Sequence, residues 1–125
     1  MAKKKPERDE DREERIHMEI VVDAYGEEER AMGWFYYLQD TLQFPFTATC
    51  IDKRSISPLK VGDEIEVLNM ADENECSREV FVMIRWDKDG LAVPLSQLKP
   101  ISETDEETIQ AVEDWHYWVE RGYGY

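Results

Sequence analysis

The chain has 125 residues, room for one hydrophobic core, and its 29 Asp and Glu against 15 Lys and Arg leave a formal net charge of −14. Residues 1–15 contain six basic and six acidic side chains, so all of that charge falls on the body from Ile16 onward. A field of this sign repels phosphate, which argues against nucleic acid or an anionic membrane as a partner and favours cations and basic proteins.

Met1 to Arg15 carries no aliphatic or aromatic residue after Ala2 and mixes both charges, so it is expected to be a disordered, solvated tail, with residues 16–125 as a single domain. Met18 to Val22 is apolar with one Glu and suits a short strand or an extended lead-in. Asp23 stands at a helix N-cap position, followed by Glu27, Glu28 and Glu29 as acids near the positive end of the dipole. Ala31, Phe35, Leu38 and Leu42 recur at helical spacing, which predicts an amphipathic helix that ends before Phe44-Pro45. Asp40 falls in its last turn, where the unsatisfied carbonyls disfavour a carboxylate unless a cation is near.

Short apolar runs at Phe46 to Ile51, Asp63 to Leu68, Val80 to Trp86 and Leu91 to Pro94 predict four strands. Asp87-Lys88-Asp89-Gly90 is the turn of a hairpin, and Ser96-Gln97-Leu98 is a 3₁₀-like turn before a last strand near Lys99 to Ile101. From Ser102 to Arg121 the pattern is helical again. Ser102 with Asp105, or Thr104 with Glu107, offers a capping box; Ile109, Val112, His116 and Val119 mark one face, flanked by Trp115 and Trp118; and Gly122 stands at C′. The fold class expected is α+β, a small SH3-like antiparallel β-barrel flanked by two amphipathic helices.

Catalytic signals are weak. His17, Cys50, Cys76 and His116 show no zinc-ligand spacing and no nucleophile-base pairing, and the six glycines form no phosphate loop. No enzyme is expected. Without a signal-peptide pattern or an apolar run near 18 residues, the two thiols are expected to be reduced in a soluble cytoplasmic protein. The loops are rich in carboxylates. Asp72, Glu73 and Glu75 share a loop with Asn69 and Asn74, and the hairpin turn adds Asp87 and Asp89; these are hard oxygen donors of the kind Ca²⁺ prefers. An EF-hand is excluded: with Gly90 at its sixth position, Arg85 would be first and Ser96 twelfth.

The runs MEIVVDAYGEEERAMGWFYYLQDTLQFPFTATC, RSISPLKVGDEIEVLNMA, FVMIRWDKDGLAVPLSQLKPI and AVEDWHYWVERGY together resemble the cyanobacterial calcium-binding proteins of the CcbP type, over about Met18 to Tyr123. The resemblance implies a soluble cytosolic protein that binds Ca²⁺ without EF-hands, through surface acids, and takes part in controlling intracellular calcium. Asp40, in LQDTLQFPF, falls in a stretch that looks like a ligand-bearing segment of that family; Asp72, Glu73, Glu75, Asp87 and Asp89 come from charge clustering alone. The expected function is calcium buffering or signalling with no nucleic-acid or membrane partner. The alternative is an acidic module that docks a basic protein without calcium.

Overall fold

The structure, a computed structural model, describes residues 7–22 and 24–123. It is an α+β fold built on a five-stranded antiparallel sheet: β1 (Phe46–Cys50), β2 (Glu64–Met70), β3 (Phe81–Ile84), β4 (Leu91–Pro94) and β5 (Leu98–Pro100), in the order β4-β3-β2-β1-β5. Alternation works as the sequence implies along β1, where Phe46, Ala48 and Cys50 point into the core. In β2 the register shifts between Val67 and Asn69, so Val67 and Met70 are both buried although three residues apart. The shift turns Met70 and Ala71 inward and leaves Asn69 outside.

The expected barrel is not closed. A 3₁₀ turn at Leu95–Gln97 carries the chain out of edge strand β4, and β5 then pairs with β1 at the opposite edge. Pro94, with no N–H to donate, ends β4 at an edge that needs no further partner.

Helices α2 (Glu27–Thr41) and α3 (Glu106–Glu120) pack together against this sheet. Ala31, Phe35, Leu38 and Leu42 are buried as their spacing predicts, and Trp34 joins them at full burial. Its ring meets Trp115 at 5.0 Å and Trp118 at 5.7 Å, between centroids. The inward face of α3 is rotated from the expected one. Ala111, Val112, Trp115 and Trp118 are buried, whereas Ile109, His116 and Val119 are only half-covered, because the large indoles take the central positions against Trp34.

The caps differ in detail. Asp23 lies outside the described residues, and the N-cap of α2 is Gly26; α3 is capped by Asp105, whose Oδ2 accepts from Thr108 N at 3.0 Å, in place of Ser102 or Thr104. Gly122, with φ of 81°, follows the last turn of α3 as expected at C′. Gly33 serves a different need: a Cβ there would stand 2.5 Å from the carbonyl oxygen of Ile20, so the backbone of the preceding segment approaches α2 at that point.

The charged N-terminal segment is not a solvated tail where it is described. Residues 10–15 form α1 (Glu10–Arg15), capped by Asp9, and the chain continues as a π-helical turn over Ile16–Ile20 where an extended piece was expected. Ile16 and Ile20, one turn apart, bury themselves there. What anchors α1 is polar, which hides it from any hydrophobic pattern. Arg15 grips Asp114 of α3 through Nη2–Oδ1 at 2.6 Å and Nε–Oδ2 at 3.3 Å, and Arg12 Nη1 lies 3.2 Å from Oδ1. Asp114 is 0% exposed, so burial pushes its carboxyl above the ordinary value against the pull of Arg15 and Arg12. Glu13, 3% exposed, accepts from the hydroxyls of Tyr117 at 2.6 Å and Tyr123 at 2.8 Å. Its burial acts upward, but the two hydroxyls, with Arg8 and His17, outweigh it and draw the carboxyl below its usual range. Among the described residues no helix is long and apolar enough to cross a membrane.

Candidate functional site

The loop between β2 and β3 is pinned at two buried residues with the acids displayed between them. Ala71 N–H donates to Phe81 O, and Cys76 Sγ lies 3.4 Å from Phe81 N and 3.5 Å from Phe81 O. Within the loop, Asp72 Oδ1 accepts from Asn74 N at 2.9 Å while Asp72 O accepts from Glu75 N at 2.9 Å, an Asx-type turn. Asp72, Glu73, Asn74 and Glu75 are all exposed, whereas Cys76 is 2% exposed. Burial raises the Cys76 thiol above its ordinary value, with Glu75 and Asp72 adding to it and the Phe81 backbone opposing, so this cysteine is a neutral packing group and no nucleophile. Cys50 is likewise buried, its thiol directed to Asp52 O at 3.1 Å, and both cysteines are free thiols.

One side of this loop faces α2. A cleft of about 610 Å³ is lined by Tyr36 and Gln39 of the helix and by Asp72, Glu73 and Asn74 of the loop, over a floor of Phe35, Met70 and Ala71. A neighbouring groove of about 340 Å³ brings Glu28 and Glu29, from the first turn of α2, to the same Glu73 and Asn74. Oxygen donors from two elements, at least 33 residues apart in sequence, thus border one continuous stretch of surface. Among the described residues, no three Asp, Glu, His or Cys side chains stand close enough together to hold one metal ion.

Of the residues expected from sequence, the structure brings Asp72 and Glu73 to this cleft. Asp40 is exposed in the last turn of α2, beside Gln39, and does not itself line it; Glu75, exposed on the same loop, does not line it either. Asp87 and Asp89 lie in the turn after β3, while the 72–75 loop precedes β3, so the strand separates the two acidic groups at its opposite ends. Asp87 sits there at φ of 49°, and Gly90 N–H closes the turn onto Trp86 O at 2.9 Å. The sequence reading missed Glu28, Glu29 and Gln39 as cleft residues. Glu28 and Glu29 have a full explanation as first-turn acids, and the only signal to the contrary is their spacing from Gln39, ten or eleven residues, which returns to the same helix face after three turns.

The two histidines have local partners. His116 Nε2 donates to Leu98 O at 2.7 Å, and His17 stands 3.5 Å from Glu13 with its ring edge-on to Trp118.

Comparison with known proteins gives a consistent result. The CcbP family, described as calcium binding, matches residues 14–119. The crystal structure of CcbP from Anabaena superposes with a TM-score of 0.84 at 43% sequence identity, covering 96% of this chain and 98% of that one. A structure of a calcium binding protein in the calcium-binding form superposes with a TM-score of 0.83, also at 43% identity, over 95% and 97% of the two chains. No curated protein sequence matches.

Proposed function

Because the chain belongs to the CcbP family of calcium-binding proteins, we propose that it binds Ca²⁺ in the cleft between α2 and the loop of residues 71–80, and that it acts in intracellular calcium buffering or signalling. The observation that carries this reading is the donor set, all oxygen: Asp72, Glu73 and the amides of Gln39 and Asn74 at the cleft, with Glu28 and Glu29 in the adjoining groove that shares Glu73 and Asn74. That set fits a hard cation of large radius, which takes six to eight oxygens at about 2.3–2.6 Å and tolerates irregular geometry. It does not fit zinc or copper, for which the nearest soft group, Cys76, is turned inward to Phe81.

The loop's own residues do the preparatory work. Burial of Ala71 and Cys76 fixes its ends, and the Asp72 turn fixes its direction, so a ligand has only the side chains of residues 72–75 left to order. Bound Ca²⁺ would supply positive charge that relieves repulsion among these acids and thereby stabilise the folded state by mass action. Asp40 flanks the cleft as an outer ligand, and the Asp87 to Asp89 turn is a second, weaker site. The site is built from exposed side chains on a loop, so micromolar affinity or weaker is expected.

The test is calorimetric titration of chelator-treated protein with Ca²⁺, repeated in millimolar Mg²⁺. Saturable binding that survives Mg²⁺ is expected, weakened about tenfold or more by Asp72→Asn with Glu73→Gln and less by Asp87→Asn with Asp89→Asn. Equal heats for the two ions, abolished by moderate salt, would refute a built site.

A further inference from the structure

On a different face, α3 presents Ile109, Val112 and His116, three of the four positions whose periodicity marks them as core. The fold buries Val112 but leaves Ile109 and His116 half-covered. They form the floor, with Ile51 and Pro100, of a groove of about 490 Å³ between α3, β5 and the segment leading into α1. Ile109 and Glu120 both line it, eleven residues apart, so it runs about 16 Å along the helix. Its length suits three turns of a helical peptide better than a compact small molecule, while its volume is in the range that receives a few side chains. None of its lining residues belongs to the calcium cleft.

The rim decides what kind of peptide. Glu7 and Asp9, from the segment leading into α1, and Glu113 and Glu120, from α3, all line the groove. Against these four carboxylates the groove offers Lys99 and Arg12, and Arg12 is already drawn to buried Asp114 at 3.2 Å. A surplus of negative charge around an apolar floor, on a body that carries −14, selects a basic amphipathic segment and rejects an acidic one. We infer that this groove is a docking site for a basic amphipathic helix of a partner protein, with the partner's apolar side chains on Ile109 and Ile51 and its Lys or Arg residues along the acid rim. This function is additional to calcium binding and does not depend on it.

The experiment uses the full chain and two labelled amphipathic peptides of about 15 residues with the same leucine face, one with lysines and one with glutamates on the polar face. Fluorescence anisotropy is read with calcium and with chelator. Saturable one-to-one binding of the lysine peptide alone, in both conditions, is expected. Glu113→Lys with Glu120→Lys should weaken it about tenfold or more, whereas Glu27→Lys with Glu64→Lys, the same change of charge at exposed positions outside both the groove and the calcium cleft, should alter it less than about twofold. Ile109→Ser, at a half-covered position, separates apolar contact from charge and should also weaken binding. Equal weakening by both charge reversals would reduce the effect to the general field and overturn the site. So would indifference to Ile109→Ser, or binding that appears only once residues 1–6, with Lys3 to Lys5, are deleted. Loss of calcium binding with peptide binding intact would defeat the calcium reading alone.

Discussion

Replacing Arg15 by Met keeps most of the aliphatic stem and removes the guanidinium that makes two hydrogen bonds to Asp114, at 2.6 and 3.3 Å. Asp114 is 0% exposed, so the variant leaves a buried carboxylate with Arg12, at 3.2 Å, as its remaining ionic partner. Breaking one side of a buried ion pair costs about 3–5 kcal/mol, and the surviving Arg12 contact places this case at the lower end, about 3 kcal/mol. Urea unfolding at pH 7 should show a midpoint lowered by about 1.5 M for a slope near 2 kcal/mol/M. The deficit also carries a sign in pH. Asp114 already has a raised pKa from burial, and losing Arg15 raises it further; the penalty for a charged carboxyl is therefore full above that folded-state value and relieved as pH falls through it. Stability measured at mildly acid pH should recover part of the loss. Asp114→Asn, which removes the buried charge itself, should cost less, because the two arginines it releases are about a quarter exposed and are rehydrated. A deficit below about 1 kcal/mol, independent of pH, would put the pair with ordinary surface salt bridges and refute the reasoning.

Glu13 titrates in the opposite sense: its lowered pKa contributes stability above the unfolded-chain value near 4.5, lost as pH falls through the folded value, so Glu13→Gln should be most costly near pH 6 and its cost should shrink steadily as pH falls below about 4.5. A pH-independent difference between the two proteins would contradict this. Gly33→Ala gains about 1 kcal/mol of helix propensity but drives Cβ to 2.5 Å from Ile20 O, and a net loss of about 1–3 kcal/mol in thermal unfolding is expected; a stabilised variant would mean that the segment before α2 moves freely. The Cys76 thiol, raised by burial, should react with a disulfide reagent at mildly alkaline pH only as fast as the loop opens, and reaction at the unfolded-chain rate would show that the loop is not pinned.

The strands were legible because each combines an apolar run with a local turn signal. The Gly90 and Gly122 positions both require positive φ and both mark real ends. The α2 face was legible for the same reason, since Ala31, Phe35 and Leu38 repeat at the helical period. Docking of α1 was not, because Arg12, Glu13 and Arg15 read as solvated charge and their partners, Asp114, Tyr117 and Tyr123, are about 100 residues away. On α3 the indoles won the centre from Ile109 and His116 by size, which a binary pattern does not weigh. Closure of the barrel depends on where one 3₁₀ turn sends β5, and no residue of Leu95–Gln97 announces that. The cleft was half legible: the loop acids cluster in sequence, but Gln39, Glu28 and Glu29 join them only through packing of α2.

The stitching of α1 to the far end of the chain also orders events in time. Asp9 N bonds to Tyr117 and Glu13 to Tyr117 and Tyr123, across 104 to 110 residues. On a ribosome the first of these segments is made roughly 5–20 s before the second. During that interval the sheet has its strands available while α1, whose docking surface does not yet exist, remains a charged and highly soluble leader. Its lack of apolar residues, which conceals its place in the finished fold, is what lets it wait without aggregating.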